Sequence, residues 1–162
     1  MLIEISGPHY FFSACHFLAT SKISEALHGH NFMVSFQGEF QELTEGLGPD
    51  FEEIAQLLQK TLGQYHHKIL LATQNPYYQV IPHAPQQEIE VIFNHSLRHY
   101  LFPQNEVKLL AVPNISTEHL ATNLQTDFIT HLKNAYFTQS ELRLEEAPGM
   151  AVRTFARRED FA

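Results

Sequence analysis

Between positions 30 and 42 the chain alternates, with Phe32, Val34 and Phe36 on one side and Asn31, Met33, Ser35 and Gln37 on the other. A period of two predicts a strand with one face buried. Residues 2–18 are rich in aromatic and β-favouring side chains and bend at Gly7-Pro8. They predict strands over about 2–6 and 9–18, or one long strand with a bulge. At Asp50 the period changes: Phe51, Ile54, Leu57, Leu58, Thr61 and Leu62 recur at helical spacing. Asp50 is a good N-cap, and Glu53 completes a capping-box pattern for a helix over about 50–64. The stretch from Leu43 to Pro49 before it is a loop by its Gly and Pro content.

Asn75-Pro76, Pro82 and Pro85 punctuate the next region, in which Glu88–Phe93 and Glu106–Val112 look like strands. This reads as an irregular insertion around 75–113 carrying a hairpin and closed by Pro113. Thr117 can cap a second helix over about 118–134, with Leu120, Leu124, Phe128 (or Asp127), Ile129 and Leu132 as its apolar stripe, and Glu118 suits its first turn. Strands near 141–146 and 150–157 follow, joined by a turn at Pro148-Gly149. Adjacent strands in pairs, separated by helices, predict an antiparallel sheet backed by helices, an α+β fold in a single domain spanning 1–162.

Composition narrows the function. The 162 residues are 44% hydrophobic, enough for a real core, and only 17% charged, which excludes extensive disorder. A net charge of −8, without a Lys/Arg stripe, disfavours nucleic-acid binding. No stretch approaches the roughly 18 apolar residues of a membrane span, and Met-Leu-Ile-Glu-Ile lacks the basic start of a secretory signal. The lone Cys15 cannot form an internal disulfide. A cytoplasmic location is the expectation.

Histidine stands out: 11 residues, against 10 Lys and Arg together. In His28-Gly29-His30 at the start of the alternating strand, residues two apart face the same side, so both rings can reach one ion. Gly29 would let a metal or a substrate approach the backbone. His16, on the neighbouring strand, is placed to supply a third ring. Three neutral nitrogens leave one tetrahedral position open, the pattern of a catalytic zinc. On spacing alone, such a pair is also compatible with chance in so His-rich a chain.

Phe12-Ser-Ala-Cys-His16-Phe-Leu, Leu27-His-Gly-His-Asn31-Phe, Gly46-Leu-Gly-Pro-Asp50-Phe, Tyr65-His66-His67, Ser116-Thr-Glu118 and Leu144-Glu-Glu146-Ala-Pro-Gly occur in this order over nearly the whole chain. Together they resemble the 6-pyruvoyl-tetrahydropterin synthase family, which includes the 6-carboxytetrahydropterin synthases of queuosine biosynthesis. The resemblance implies a tunnelling fold: an antiparallel four-stranded sheet with two helices on one face, assembling into trimers or into hexamers as dimers of trimers. It implies Zn2+ held by His16, His28 and His30, and a pterin substrate bound by Glu146, with Glu145 as the alternative, and by Thr117.

Two positions depart from the family pattern. Ser24 stands where a nucleophile-like Cys is usual, and Tyr65-His66 where an Asp-His pair is usual. Cys15, beside His16 in a strand, should face away from the metal. Glu25, in Ser24-Glu-Ala-Leu-His-Gly-His-Asn31, resembles the type III branch, in which a Glu replaces the Cys. That branch converts 7,8-dihydroneopterin triphosphate to 6-hydroxymethyl-7,8-dihydropterin, a folate precursor. Glu25 is then the catalytic acid–base and His66 the proton relay, with His67 as its fallback and Tyr65 placed to hydrogen-bond to either. The competing expectations are 6-carboxytetrahydropterin or 6-pyruvoyl-tetrahydropterin formation, and a non-catalytic pterin- or metal-binding homologue.

Overall fold

The structure, a computed structural model, describes residues 1–41, 48–132 and 137–161. In chain order the strands are β1 (Leu2–Ile5), β2 (Phe11–His16), β3 (His28–Phe40), β4 (Lys68–Ala72), β5 (Tyr78–His83), β6 (Glu88–Phe93), β7 (His99–Pro103), β8 (Val107–Leu110), β9 (Phe137–Ala147) and β10 (Met150–Arg157). The helices are α1 (Phe51–Gly63), which follows β3, and α2 (Thr117–His131), which follows β8. Most of the loop expected at 43–49 and the end of the second predicted helix lie outside the described residues.

The main sheet has seven strands in the order β10-β9-β3-β2-β4-β8, with β1 also on β3. β10, β9, β3 and β2 form the four-stranded antiparallel core, and β4 and β8 extend it in parallel. β1 and β2 flank β3 end to end, Ile5 opposite Phe36 and Phe11 opposite Met33. They are thus one strand interrupted at Gly7-Pro8, whose glycine has φ +128°. The alternation of β3 is realised as read, with Phe32, Val34, Phe36 and Phe40 buried. Phe36 meets Phe128 of α2 at 4.8 Å between ring centroids.

Both helices pack on that side of the sheet, α2 against β9 and β10, and α1 against α2 and β2. Asp50 caps α1 through the Glu52 N–H. In α2 the capping side chain is Ser116, which accepts from the His119 N–H, and Thr117 is the first helical residue. The Thr117 hydroxyl is thereby free for another partner. Buried within α2, Gln125 donates to the Ser140 and Thr154 carbonyls and to the Ser140 hydroxyl, tying the helix to β9 and β10.

The segment expected to be irregular is regular. β5, β6 and β7 form a second, three-stranded antiparallel sheet rather than a hairpin, and the strand expected at 106–112 is β8 of the main sheet. Pro82 is tolerated because β5 is an edge strand and owes no ladder N–H on its outer side. This small sheet packs its apolar face on Phe17, whose ring lies 5.1 Å from Tyr78 and 5.0 Å from Phe93.

Candidate metal centre

Cross-strand register builds the centre. His16 ends β2 directly opposite His28, and His30 lies two residues further along β3 on the same face. The ligating atoms of the three rings all lie within 4.8 Å of one another. Ring centroids are 4.6 Å apart for His16–His28, 5.2 Å for His16–His30 and 5.0 Å for His28–His30.

Two of the rings are oriented by backbone carbonyls. His16 Nδ1–H donates to the Ile115 carbonyl at 2.8 Å, and His28 Nδ1–H donates to the Ala26 carbonyl at 2.9 Å. A carbonyl only accepts, so each ring carries its proton on Nδ1 and leaves the Nε2 lone pair for an ion. Burial holds the His16 imidazole below its ordinary range and outweighs the upward pull of the Ile115 carbonyl. His28 and His30 lower it further, while Glu146 opposes them. The ring therefore stays neutral, as a metal ligand must.

His16 Nε2 is buried and has no hydrogen-bond partner among the described residues. Glu146 Oε1 lies 3.3 Å from it and 3.3 Å from His30 Nε2. Near as the carboxylate is, it is no partner for an unprotonated Nε2, because both atoms would accept. A buried lone pair without a donor is costly, and a bound cation removes that cost. The residues present thus fit a three-imidazole metal centre. The second oxygen of Glu146 accepts from the Thr117 hydroxyl at 2.6 Å, so the start of α2 holds the carboxylate beside the three rings.

Glu145 points elsewhere: it pairs with Arg143 and accepts from the Gly149 N–H at 2.9 Å. The Gly149 N–H, then Arg143, hold its carboxyl below the usual range. Of the two late glutamates, Glu146 is the one that faces the imidazoles. Gly29 serves a different purpose from the approach of a metal. It lies on the opposite face of β3 from the two histidines, where an added Cβ would sit 3.2 Å from both Cys15 Sγ and the Ala14 carbonyl. Cys15 itself alternates away from His16, as expected.

Glu25 sits on the β2–β3 connection. Its carboxylate accepts from the Leu18 N–H at 3.0 Å, and its own N–H donates to the Leu18 carbonyl at 2.9 Å. The group is therefore tied to Leu18, two residues after His16, and itself lies three residues before His28 along the chain. His66 is placed differently. Its Nδ1 accepts from the Ser13 N–H at 3.1 Å, and its ring meets Phe11 at 5.8 Å and stacks on His67 at 3.8 Å. Phe11 and Ser13 alternate away from His16 on β2, so these contacts do not bring His66 among the three imidazoles. His67 has φ +59° and lines an open cleft of about 470 Å³ with Lys68, Ser13, Asn31 and His30. A wider hollow of about 760 Å³ near Phe155 and Gln139 contains none of these histidines.

Tyr65 bonds to neither His66 nor His67. It is fully buried, its hydroxyl donates to Asp127 Oδ2, and it accepts from Asn123 Nδ2 at 2.8 Å. Burial, then the Asp127 carboxylate, push the phenol well above its ordinary range, so it remains protonated. The tyrosine thus joins α2 to the end of α1 and has no proton to trade. Tyr65→Phe leaves the partly buried Asp127 without that donor, and a loss of about 1–3 kcal/mol is expected. Urea unfolding measures it, and zinc stoichiometry should not change.

The carbonyls of Ile115 and Ala26 escape any reading of side chains, and Asp127 was visible only as a possible stripe position.

Comparison with known proteins gives one consistent result. A sequence profile of the family described as 6-pyruvoyl tetrahydropterin synthase matches residues 8–156. A Methanocaldococcus jannaschii protein, named as a putative 6-carboxy-5,6,7,8-tetrahydropterin synthase, is 24% identical over 148 residues, covering 85% of this chain and 84% of its own. The crystal structure of the Plasmodium vivax 6-pyruvoyl tetrahydropterin synthase superposes with a TM-score of 0.87 at 20% identity, over 97% of this chain and 98% of the other. A second structure of that protein, in which a catalytic glutamate is replaced by alanine, gives a TM-score of 0.82 at 19% identity with the same coverage.

Proposed function

This chain belongs to the 6-pyruvoyl tetrahydropterin synthase family, and from that we propose that it is a zinc-dependent lyase converting 7,8-dihydroneopterin triphosphate to 6-hydroxymethyl-7,8-dihydropterin. One observation supports the reading: three imidazoles converge beside the Glu146 carboxylate, with a buried His16 nitrogen that nothing among the described residues satisfies. His16, His28 and His30 would hold the ion. Bound zinc would supply Lewis acidity toward the oxygens of the substrate side chain.

The chain's own groups then divide the work. Glu146, kept in place by Thr117, retains acceptor capacity for the amino group and ring N–H of a pterin. Such pairing fixes the flat ring so that its side chain lies at the imidazoles. Glu25 takes the proton of the hydroxyl on the second side-chain carbon. The bond between the first two carbons breaks, that hydroxyl carbon becomes an aldehyde, and a proton returns to the first carbon, as in a retro-aldol cleavage. Ser24, without a thiolate, leaves proton transfer to the glutamate beside it. The Plasmodium vivax protein described with a catalytic glutamate supports this assignment. His66, the expected proton relay, contacts Phe11, Ser13 and His67 within one chain.

The same reading includes assembly into trimers or hexamers, with no nucleic-acid or membrane partner. β10 and β8 are the outer strands of the main sheet, and Phe155 (73% exposed) and Leu109 (47%) lie on them uncovered. Among the described residues no helix is long and apolar enough to cross a membrane.

A second reading has one observation of its own: the Methanocaldococcus relative is named for 6-carboxytetrahydropterin formation. Incubating zinc-loaded protein with 7,8-dihydroneopterin triphosphate and separating the pterins decides between them. The expected product is 6-hydroxymethyl-7,8-dihydropterin. Accumulation of 6-carboxy- or 6-pyruvoyl-tetrahydropterin instead would transfer the chain to another branch of the family. Binding without turnover would make it a non-catalytic homologue.

A further inference from the structure

We infer that Arg98, carried by the three-stranded sheet, is a positioning residue that holds the Glu25 segment in its reactive place. The inference rests on the reading of Glu25 given above and goes beyond it. It assigns a role to a sheet that takes no part in holding the three imidazoles.

The segment between His16 and His28 has little regular structure: one isolated bridge, Ala19 with Ser24, a turn in which the Thr20 hydroxyl accepts from the Lys22 and Ile23 N–H groups and the Thr20 N–H donates to the Ile23 carbonyl, and the two bonds that join Glu25 to Leu18. The rest of its support comes from chain far away in sequence. At its start, Phe17 is buried against Tyr78, Phe93 and Tyr100. At its middle, the Ala19 carbonyl accepts from Asn75 and Asn114, both at 3.0 Å. At its end, the Leu27 N–H donates to the Tyr100 hydroxyl at 3.3 Å.

Arg98 completes this set at the residues that matter most. Its Nη1 donates to the Ser24 hydroxyl at 3.0 Å and to the Glu25 carbonyl. Its guanidinium lies 5.3 Å over the Phe93 ring, and Phe93 packs on Phe17. One cation therefore clamps the backbone of Glu25 to the same aromatic cluster that seats the residue after His16. With the carbonyl of Glu25 fixed on one side and its carboxylate on the Leu18 N–H on the other, the side chain has a defined origin. Both bonds leave one guanidinium nitrogen while the planar group lies over Phe93, and a lysine ammonium, which has donors but no flat face to stack, reproduces this only in part.

The test uses the full-length protein carrying Arg98→Ala, with Arg98→Lys as the milder variant. Amide exchange at Leu18 and Glu25 reads the clamp without any assay of activity. It should accelerate about tenfold in Arg98→Ala while amides of β3 and β9 keep their protection, since loss of a local clamp opens only its own segment. Unchanged exchange at Leu18 and Glu25 overturns the inference.

Kinetics read the consequence. Arg98→Ala should lower kcat about 10–100-fold, in the range that misplacement of a catalytic group costs, with KM and zinc content held, and Arg98→Lys should recover part of the loss. In a Glu25→Gln background Arg98→Ala should cost nothing further, because it acts through Glu25. A loss that adds in full to that of Glu25→Gln overturns the proposal. Full turnover by Glu25→Gln would instead overturn the role of Glu25, while the exchange data still decide whether Arg98 holds the segment.

Discussion

Replacing His28 by alanine is expected to abolish stoichiometric zinc binding and, with it, all turnover. The loss should exceed the 10–100-fold in metal affinity that removing a group outside the coordination sphere costs. Chelator competition with a chromogenic zinc indicator measures it. His28 is the most informative of the three positions. Its ring is partly exposed, and its contacts are with the other two rings and the Ala26 carbonyl, so the variant should fold. His16→Ala would instead empty a buried position beside Phe32 and confuse stability with binding.

The same argument gives the behaviour of metal-free protein. A buried His16 Nε2 without a donor is a standing cost in the chain alone, and Glu146 cannot remove it. Zinc addition should therefore raise the unfolding midpoint of the wild type, by linkage, and leave that of His28→Ala nearly unchanged. Equal zinc affinity in the two proteins would show that the three rings do not act as one centre.

The parts of this centre differ in how far they could be read from sequence, for a physical reason. The pairing of His16 with His28 and the shared face of His28 and His30 follow from strand periodicity, which two short motifs reveal. Alternation likewise exposed β3 and the helical spacing of Phe51, Ile54, Leu58 and Leu62 exposed α1. β4 gave no such signal: Leu70, Leu71 and Ala72 are all buried, and a parallel strand covered on both faces has no polar phase. The three-stranded sheet was obscured by Pro82 and Pro85, punctuation that an edge strand and its turn tolerate.

Other features depend on contacts between distant residues that no local pattern encodes. Tyr65 finds Asp127 across 62 positions, and Arg98 finds Glu25 across 73. The Ile115 and Ala26 carbonyls are backbone atoms, which side-chain identity does not announce at all. Composition marked the histidines as unusual, and register selected the three that converge.

Glu25→Gln is expected to keep the fold, the zinc and the pterin affinity, and to lower kcat by about 10²–10⁴-fold, the usual contribution of a positioned acid–base. The substitution suits this site because the carboxylate has a second task. It accepts the Leu18 N–H, and the amide oxygen of glutamine can accept the same bond at the same reach. What glutamine cannot do is take a proton. Any loss of kcat without a change in KM or zinc content is then a loss of proton transfer rather than of loop structure. Glu25→Ala removes both functions, so it should also loosen the segment between His16 and His28 and accelerate exchange at the Leu18 amide. Identical effects from the two variants on that amide would mean that the carboxylate bond contributes nothing to the loop. Wild-type turnover in Glu25→Gln would show that the proton passes through another group. In the proposed reading the three imidazoles would hold the ion, and Tyr65 is held protonated by burial and Asp127. Cys15 faces away, and His66 lies with Phe11. Glu25 is thus the one carboxylate on the segment between His16 and His28, and that is why the kinetic effect that leaves the zinc in place is expected there.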